Sequence, residues 1–300
     1  MCEKERKDYQ SPGELGHELI RIFTNKVEYW NDGIMGNLQN FAVIINYHFF
    51  SKDKSQDYSC SQNDLVEHLK FLTTKCSLLP IRDALEIAEC GKPFLKNSAC
   101  IMVDDGDESF YKYGWPVFKD FKSPLHLNIT CGYIGKKDGS NPSRRIITAR
   151  EVDNLLKSDL VTLGSHTMSH RKINQLSEAD LIYEIQESKK IVDKLQGHCE
   201  TFAYPYGDSS FVTAQSESVI SESGYKYAFT TTGGVLRKGT DRFRIGRSNI
   251  QGCVSLEKLY FFCRGIHPKL RFFRDRIVKN RFYNAKSPAG LIGDQISRRP

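Results

Sequence analysis

His166-Thr167-Met168-Ser169-His170 spaces two imidazoles at i and i+4, so both can reach one metal ion from the same side of the chain. Thr167, not Glu, follows His166, so the pair falls outside the H-E-x-x-H pattern of zinc proteases. Asp104-Asp105-Gly106 sets two carboxylates before a glycine turn. Adjacent side chains at a strand end point in different directions, so one can bind a cation while its neighbour faces a substrate. Each motif alone has a plainer reading, a common turn or a hydrogen-bonded structural histidine. Together, Asp105, His166 and His170 form a two-histidine, one-carboxylate set that leaves positions on Zn²⁺ or another divalent ion open to water and substrate. Such an ion lowers the pKa of its water towards about 7 and polarises a bound carbonyl. Asp104, beside the ligand but free of the metal, is placed to take the proton from that water. The chemistry expected is metal-assisted hydrolysis.

These groups need a scaffold that brings distant segments together. Phe41-Ala42-Val43-Ile44-Ile45 is a continuous apolar, β-branched run ending at Asn46-Tyr47-His48, which reads as a strand buried on both faces. A helical pattern opens at Ser61-Gln62-Asn63-Asp64, and a second runs from Ile81 to Gly91. Strands are expected at Ala99–Val103, Leu125–Ile129, Leu160–Leu163, Thr201–Tyr204 and Tyr227–Thr231. Helices are expected at Trp115–Phe121, Val152–Leu156, Ala179–Leu195 and Val212–Ser223, and a further short one at Glu14–Arg21. This alternation from residue 41 to about 250 predicts βαβ units and a parallel sheet, open or closed into a barrel. In such folds the chemistry gathers at the carboxyl ends of the strands. His48, Asp104-Asp105, Gly164-Ser165-His166 and Tyr204-Pro205-Tyr206 each follow a strand, so all four clusters should meet on one rim.

Val103-Asp104-Asp105-Gly106, Ser165-His166-Thr167-Met168-Ser169-His170 and Phe202-Ala203-Tyr204-Pro205-Tyr206-Gly207 resemble, in order and spacing, the motifs of the polysaccharide deacetylases. This is the NodB-homology group, carbohydrate esterase family 4; the resemblance covers roughly residues 41–250. The Asn46-Tyr47-His48 strand ending is similar to the branch that includes the poly-N-acetylglucosamine deacetylases. The resemblance implies an α/β fold, a distorted (β/α)-barrel of about seven strands, and one divalent ion that serves hydrolysis of an N-acetyl or O-acetyl group. Zn²⁺ is the first choice of ion, with Co²⁺, Ni²⁺, Fe²⁺ or Mn²⁺ as alternatives. By motif, Asp104 matches the catalytic base and Asp105, His166 and His170 the metal ligands. Tyr206 matches the residue whose backbone N–H holds the oxyanion, where negative charge develops. Ala203 stands where many members carry an arginine that orients the base, so Asp104 needs another partner. Arg247, in Phe243-Arg244-Ile245-Gly246-Arg247, resembles a late-strand arginine of these subfamilies that could pair with Asp104; a surface or core-edge salt bridge is the other reading. The family's late Leu-x-His motif, whose histidine protonates the leaving amine, has no counterpart, and His267 lacks that context. His48 is the better-placed candidate for acid or substrate duty, or else a structural histidine under the rim.

Composition bounds the rest. At 300 residues, 39% hydrophobic and 26% charged, the chain has the make-up of a soluble globular protein with a sizeable core. No apolar run approaches the ~18 residues of a membrane-spanning helix. The N-terminus is charged and no apolar signal core follows, so a cytoplasmic protein is expected. Nine cysteines, an odd number without a C-x-x-C pair, fit reduced thiols in that compartment. The net charge of +7 sits in the tail: from Arg264 onward ten bases face only Asp275 and Asp294, and the body is near neutral. Nucleic-acid binding by the whole protein is therefore not suggested.

Three regions are expected: a leader over 1–40, a catalytic domain over 41–255 and a basic, aromatic extension over 256–300. The extension, with Leu259-Tyr260-Phe261-Phe262 and Leu270–Ile277, could lie on an anionic membrane surface at the inner face of the membrane; the favoured reading packs its aromatics on the barrel and leaves its bases in water. The expected activity is N-deacetylation of an acetamido sugar, an oligosaccharide or a nucleotide- or lipid-linked glycan precursor, in surface polysaccharide synthesis. Two rivals keep the fold: an esterase or amidase on a non-sugar substrate, and a non-catalytic glycan-binding relative.

Overall fold

A computed structural model describes residues 40–54, 58–139, 141–252 and 254–266. The leader, with its expected helix at Glu14–Arg21, and the basic stretch beyond Ile266 lie outside the described residues. All elements below belong to the unit that ends at Gly265.

The first apolar run forms β1 (Ala42–Tyr47), buried along its whole length. Short strands β2 (Phe50–Ser51) and β3 (Cys60–Ser61) pair with each other and lead into helix α1 (Gln62–Lys75). Ser61 caps that helix by accepting the Asp64 N–H. β4 (Ser77–Leu78), α2 (Ile81–Cys90) and the eight-residue β5 (Ser98–Asp105) follow. A π-helical turn at Phe110–Gly114 runs into α3 (Trp115–Asp120), then come β6 (Leu125–Ile129), α4 (Ala149–Leu156) and β7 (Val161–Ser165). Thr148 and Glu151 close a capping box on α4. The chain continues through α5 (Glu178–Gln196), β8 (Thr201–Ala203), α6 (Ala214–Glu222), β9 (Tyr227–Thr230), β10 (Ile245–Gly246) and β11 (Ser248–Asn249), and ends in α7 (Leu256–Cys263).

All strand pairings are parallel, in the order β10-β9-β8-β7-β6-β5-β1-β11, with β4 added beside β5. The two ends of this path, β10 and β11, are separated in sequence by Arg247 alone. Ile245 pairs with Phe229 on one edge, and Ser248 pairs with Ile45 on the other. The sheet therefore curls into a nearly closed barrel of seven strand positions, the distorted (β/α) barrel expected from the motifs, with Arg247 at its seam.

Period-two alternation sorts each strand between two cores. Val43, Ile45 and Tyr47 of β1, with Ile101 and Val103 of β5 and Leu127 and Ile129 of β6, belong to the larger outer core that the surrounding helices cover. Ala42, Ile44, Cys100, Met102, Ala203, Phe229 and Ile245 form an inner core, joined by Ile81, Ala84, Leu85 and Ala88 of α2. Two residues further along, the inner rows turn polar: Ile44 gives way to Asn46, Met102 to Asp104 and Ile245 to Arg247. The barrel is thus apolar at its base and polar at the carboxyl ends of its strands. Space inside is limited: a Cβ on Gly164 would collide with the Asn128 amide and the His126 ring.

Helix α7 packs on α1 and β1, with Leu259 and Phe262 buried and Tyr260 set edge-on to Phe71 at 6.4 Å. The aromatic run Leu259–Phe262 is therefore tied to the barrel. No helix among the described residues is long and apolar enough to cross a membrane.

Candidate metal centre and hydrolytic site

The four polar clusters come together at the carboxyl ends of the strands, where His48, Asp104, Asp105, His166, His170 and Tyr206 line one cavity of about 250 Å³. Asp105 Oδ1 lies 3.4 Å from His166 Nε2 and 3.5 Å from His170 Nε2. Two ligands on a tetrahedral ion with bonds of about 2.1 Å stand roughly 3.4 Å apart, so these spacings suit one small divalent cation. His166 Nδ1 is 2.7 Å from the Ala203 carbonyl and donates to it, which turns the lone pair of Nε2 towards Asp105. Asp105 Oδ1 is buried and has no hydrogen-bond partner. An unpartnered carboxylate oxygen facing an imidazole lone pair is repulsive unless a cation sits between them. The donor set fits a metal, and it is the only such cluster of His, Cys, Asp and Glu among the described residues.

Backbone conformation delivers these groups. Asp105 (φ 71°), Thr167 (φ 67°), His170 (φ 56°) and Tyr206 (φ 63°) all occupy the left-handed region, which side chains with a Cβ seldom adopt. Only two other described non-glycine residues, Asn97 and Lys122, share it. Concentrated local strain of this kind is held by surrounding bonds and gathers at functional sites. Here much of the holding falls to Glu184 of α5, itself buried. Its carboxylate accepts the N–H groups of Met168 and Ser169, both at 2.8 Å, and the Ser169 hydroxyl, while Arg171 pairs with it at 3.2 Å. Gly132 supports the same loop from the other side by donating to the Met168 carbonyl at 2.9 Å, an approach so close that a Cβ would strike that oxygen.

Asp104 is held differently. Arg247 grips it with both terminal nitrogens, Nη1 at 2.7 Å from Oδ1 and Nη2 at 2.8 Å from Oδ2. Asn128 Nδ2 donates to Oδ1 at 2.8 Å, and Asn46 Nδ2 to Oδ2 at 2.9 Å. Burial by itself would raise the pKa of this carboxyl, but the charges of Arg247, His166 and His48 outweigh it and hold Asp104 well below the usual carboxylate range. Asp105 is held low as well, its own burial overcome by the adjacent His166, His170 and His48 imidazoles. His48 Nε2 stands 3.7 Å from Asp104 Oδ2 with its side chain 23% exposed, the most open of the candidate side chains near that carboxylate.

Tyr206 turns its ring outward, 4.9 Å from the His170 ring, and is 48% exposed. Its backbone N–H makes no hydrogen bond among the described residues and is available to an incoming oxygen. Asn128 and Glu184 were not singled out by their sequence context. A signal existed for Asn128, since His126 and Asn128 alternate with Leu125, Leu127 and Ile129 and so share the inner face of β6. Nothing local distinguishes Glu184 from the other acids of α5.

Comparisons with known proteins agree with this arrangement. A family model described as polysaccharide deacetylase matches residues 91–228. A poly-beta-1,6-N-acetyl-D-glucosamine N-deacetylase of Staphylococcus aureus is 29% identical over 216 residues, spanning 64% of this chain and 72% of that protein. The protein of the same name from Staphylococcus epidermidis is 22% identical over 233 residues, spanning 70% and 78%. Among solved structures, IcaB from Ammonifex degensii superposes with a TM-score of 0.64 at 20% identity, over 76% of this chain and 97% of that one. The Streptococcus pyogenes deacetylase PplD gives 0.65 at 17% identity, over 74% and 98%, and both show a shared fold. The ordered motifs, the curled parallel barrel and these matches carry one conclusion: residues 91–228 match a polysaccharide deacetylase domain.

Proposed function

We propose that this protein is a metal-dependent N-deacetylase that hydrolyses the acetamido group of a sugar in surface polysaccharide synthesis. The observation that carries the reading is the convergence of Asp105 Oδ1, His166 Nε2 and His170 Nε2 beside an independently tethered, ionised Asp104. A divalent ion held by those three atoms, with Zn²⁺ the first choice for two imidazoles and one carboxylate, would polarise the acetyl carbonyl and acidify a water. Asp104, kept charged and fixed in direction by Arg247, Asn46 and Asn128, takes a proton from that water. The Tyr206 N–H donates to the oxygen on which charge develops as water adds to the acetyl carbon. The same tether that orients Asp104 also lowers its basicity, so the proton should not rest there. His48 is within 3.7 Å and opens to the cavity, and we assign it delivery of a proton to the leaving amine. Acetate and the free amine complete the balance.

The cavity at the site shares His170 and Tyr206 with a shallower groove of about 570 Å³, so the reacting group sits in an elongated cleft suited to a glycan longer than one sugar. The curated relatives are named for poly-beta-1,6-N-acetyl-D-glucosamine, which supports an acetylated glycan as the substrate here; a nucleotide- or lipid-linked precursor is a further proposal of our own.

The deciding experiment combines metal analysis of the purified protein with acetate release on N-acetylglucosamine oligomers, nucleotide-linked acetamido sugars and aryl acetates. Acetate from the acetamido sugars, lost in Asp104→Asn while the metal is retained, is the expected result. Cleavage of aryl acetates alone would move the assignment to an esterase, and a metal-loaded protein that releases acetate from none of them would leave only the glycan-binding reading.

A further inference from the structure

The reacting cavity contains a cation that the hydrolytic step does not use. Arg144 lies on the segment between β6 and α4, fixed by backbone bonds from Arg144 N to Asn141 O at 2.9 Å and from Asp138 N to Arg144 O at 3.0 Å. Its guanidinium carbon sits 3.6 Å from the centroid of the Phe49 ring, a face-on stack. Phe49 directly follows His48, and both Arg144 and Phe49 line the cavity that holds Asp104, Asp105 and the two imidazoles. Stacking engages the π-face of a guanidinium and leaves its N–H donors free in the plane, already oriented. Among the described residues that guanidinium makes no hydrogen bond and no ion pair.

No carboxylate among the described residues forms an ion pair with it, although the buried Asp107 feels its charge. Asp104 is saturated by Arg247, Asn46 and Asn128, and Asp105 faces the two imidazoles. Asp107 is 5% exposed and accepts the Ser109 N–H at 2.9 Å, without an ion pair to Arg144. No other carboxylate lines the cavity or the adjoining groove. In that groove Arg171 is paired with Glu184 and Asp180, but Lys172 stands 5.5 Å from the Tyr206 ring and 5.6 Å from the Phe211 ring with no ion pair among the described residues. A cleft with two cations outside any ion pair, and no carboxylate in its lining besides Asp104 and Asp105, attracts negative charge and disfavours cationic ligands.

We propose that Arg144, stacked on Phe49, is an oxyanion subsite: it binds a phosphate or carboxylate group carried by the acetamido substrate next to the sugar that reacts. This inference rests on the deacetylase reading and narrows it to anionic acetamido glycans. The stacked fork presents paired donors to two oxygens of such a group, a geometry a lysine would not reproduce. The two sources of the oxyanion, a glycosyl phosphate and a neighbouring uronate, share this recognition chemistry and separate by experiment.

The test measures binding and turnover on three compounds: N-acetylglucosamine 1-phosphate, an N-acetylglucosaminyl-glucuronate disaccharide and neutral di-N-acetylchitobiose. The metal-loaded full chain should bind at least one anionic compound about ten-fold or more tighter than the neutral one, with the preference falling as salt is raised. Arg144→Gln should collapse that ratio towards one. Arg144→Lys should restore only part of it, and Phe49→Leu should reduce it by releasing the stack. Which anionic compound shows the effect identifies the source. Equal binding of all three compounds, or a ratio unchanged by Arg144→Gln, overturns the subsite and leaves the deacetylase reading standing. Arg144-dependent preference without acetate release from any of the three would keep the subsite and remove the deacetylase reading instead.

Discussion

Arg247 and Asp104, 143 residues apart, meet as a two-pronged ion pair at 2.7 and 2.8 Å inside the barrel, with exposures of 0% and 1%. Arg247 occupies the single position between the two edge strands, so the residue at the seam of the barrel also fixes the proposed base. Its remaining contacts, Nε to the Thr230 carbonyl at 3.2 Å and Nη1 to Asn46 Oδ1 at 3.0 Å, tie the same guanidinium to the strands on either side. Closure of the fold and orientation of the reacting carboxylate therefore depend on one side chain.

Removing one partner from a buried pair leaves the other charge unsolvated and costs about 3–5 kcal/mol. Arg247→Met should destabilise the protein by that order in urea unfolding. A loss below about 1 kcal/mol would show that water reaches Asp104 in place of the guanidinium.

Asp105→Ala should remove the bound metal together with acetate release, because it deletes one of three convergent ligands and the one without another partner. The check is elemental analysis of the purified variant beside the wild type. A fully metallated, active Asp105→Ala protein would refute the ligand set.

Glu184 touches neither the metal position nor the substrate cavity; it shapes the loop that carries His166 and His170. Glu184→Gln keeps the volume but turns an amide N–H₂ towards backbone donors. Metal affinity should fall by roughly 10–100-fold, the range for loss of an outer-shell support. A competition titration against a chelating dye reads this directly, and an unchanged Kd would make Glu184 a purely structural residue.

His126 lies at the amino end of β6, between the hydroxyls of Thr162 at 2.7 Å and Thr201 at 2.9 Å. Burial, aided by the charge of Arg247, lowers its pKa to about 3. In the unfolded chain the same ring takes up a proton below about pH 6.5. The unfolded state therefore binds the extra proton between those limits: the contribution of His126 is complete above about pH 6.5 and is lost as pH falls towards 3. The slope for one such histidine is at most about 1.4 kcal/mol per pH unit. Buried His68, whose pKa is lowered as well, adds in the same direction. Urea unfolding of metal-free protein from pH 7.5 to 4.5 should show falling stability, and His126→Gln should flatten the slope even if it is less stable at every pH. Equal slopes in the two proteins would rule His126 out as the source.

Much of this protein is legible in its residues taken in order. The buried runs at Ala42–Ile45 and Ala99–Val103, the capped helices between strands, Asp104-Asp105-Gly106 and the His166/His170 spacing need only local information. Periodicity, caps and i,i+4 spacing express preferences within a few residues, and these the chain carries itself. What only the tertiary structure decided is partnership and direction. Curling of the sheet brings Arg247 and Asn128 onto Asp104, and the left-handed turn at Asp105 swings its carboxylate out of the strand alternation towards the two imidazoles. Docking of α5 places Glu184 under the histidine loop, and the segment before α4 lays Arg144 on Phe49. Such contacts join residues far apart in the chain, and their geometry comes from barrel closure and backbone dihedrals, which no short stretch of sequence encodes by itself.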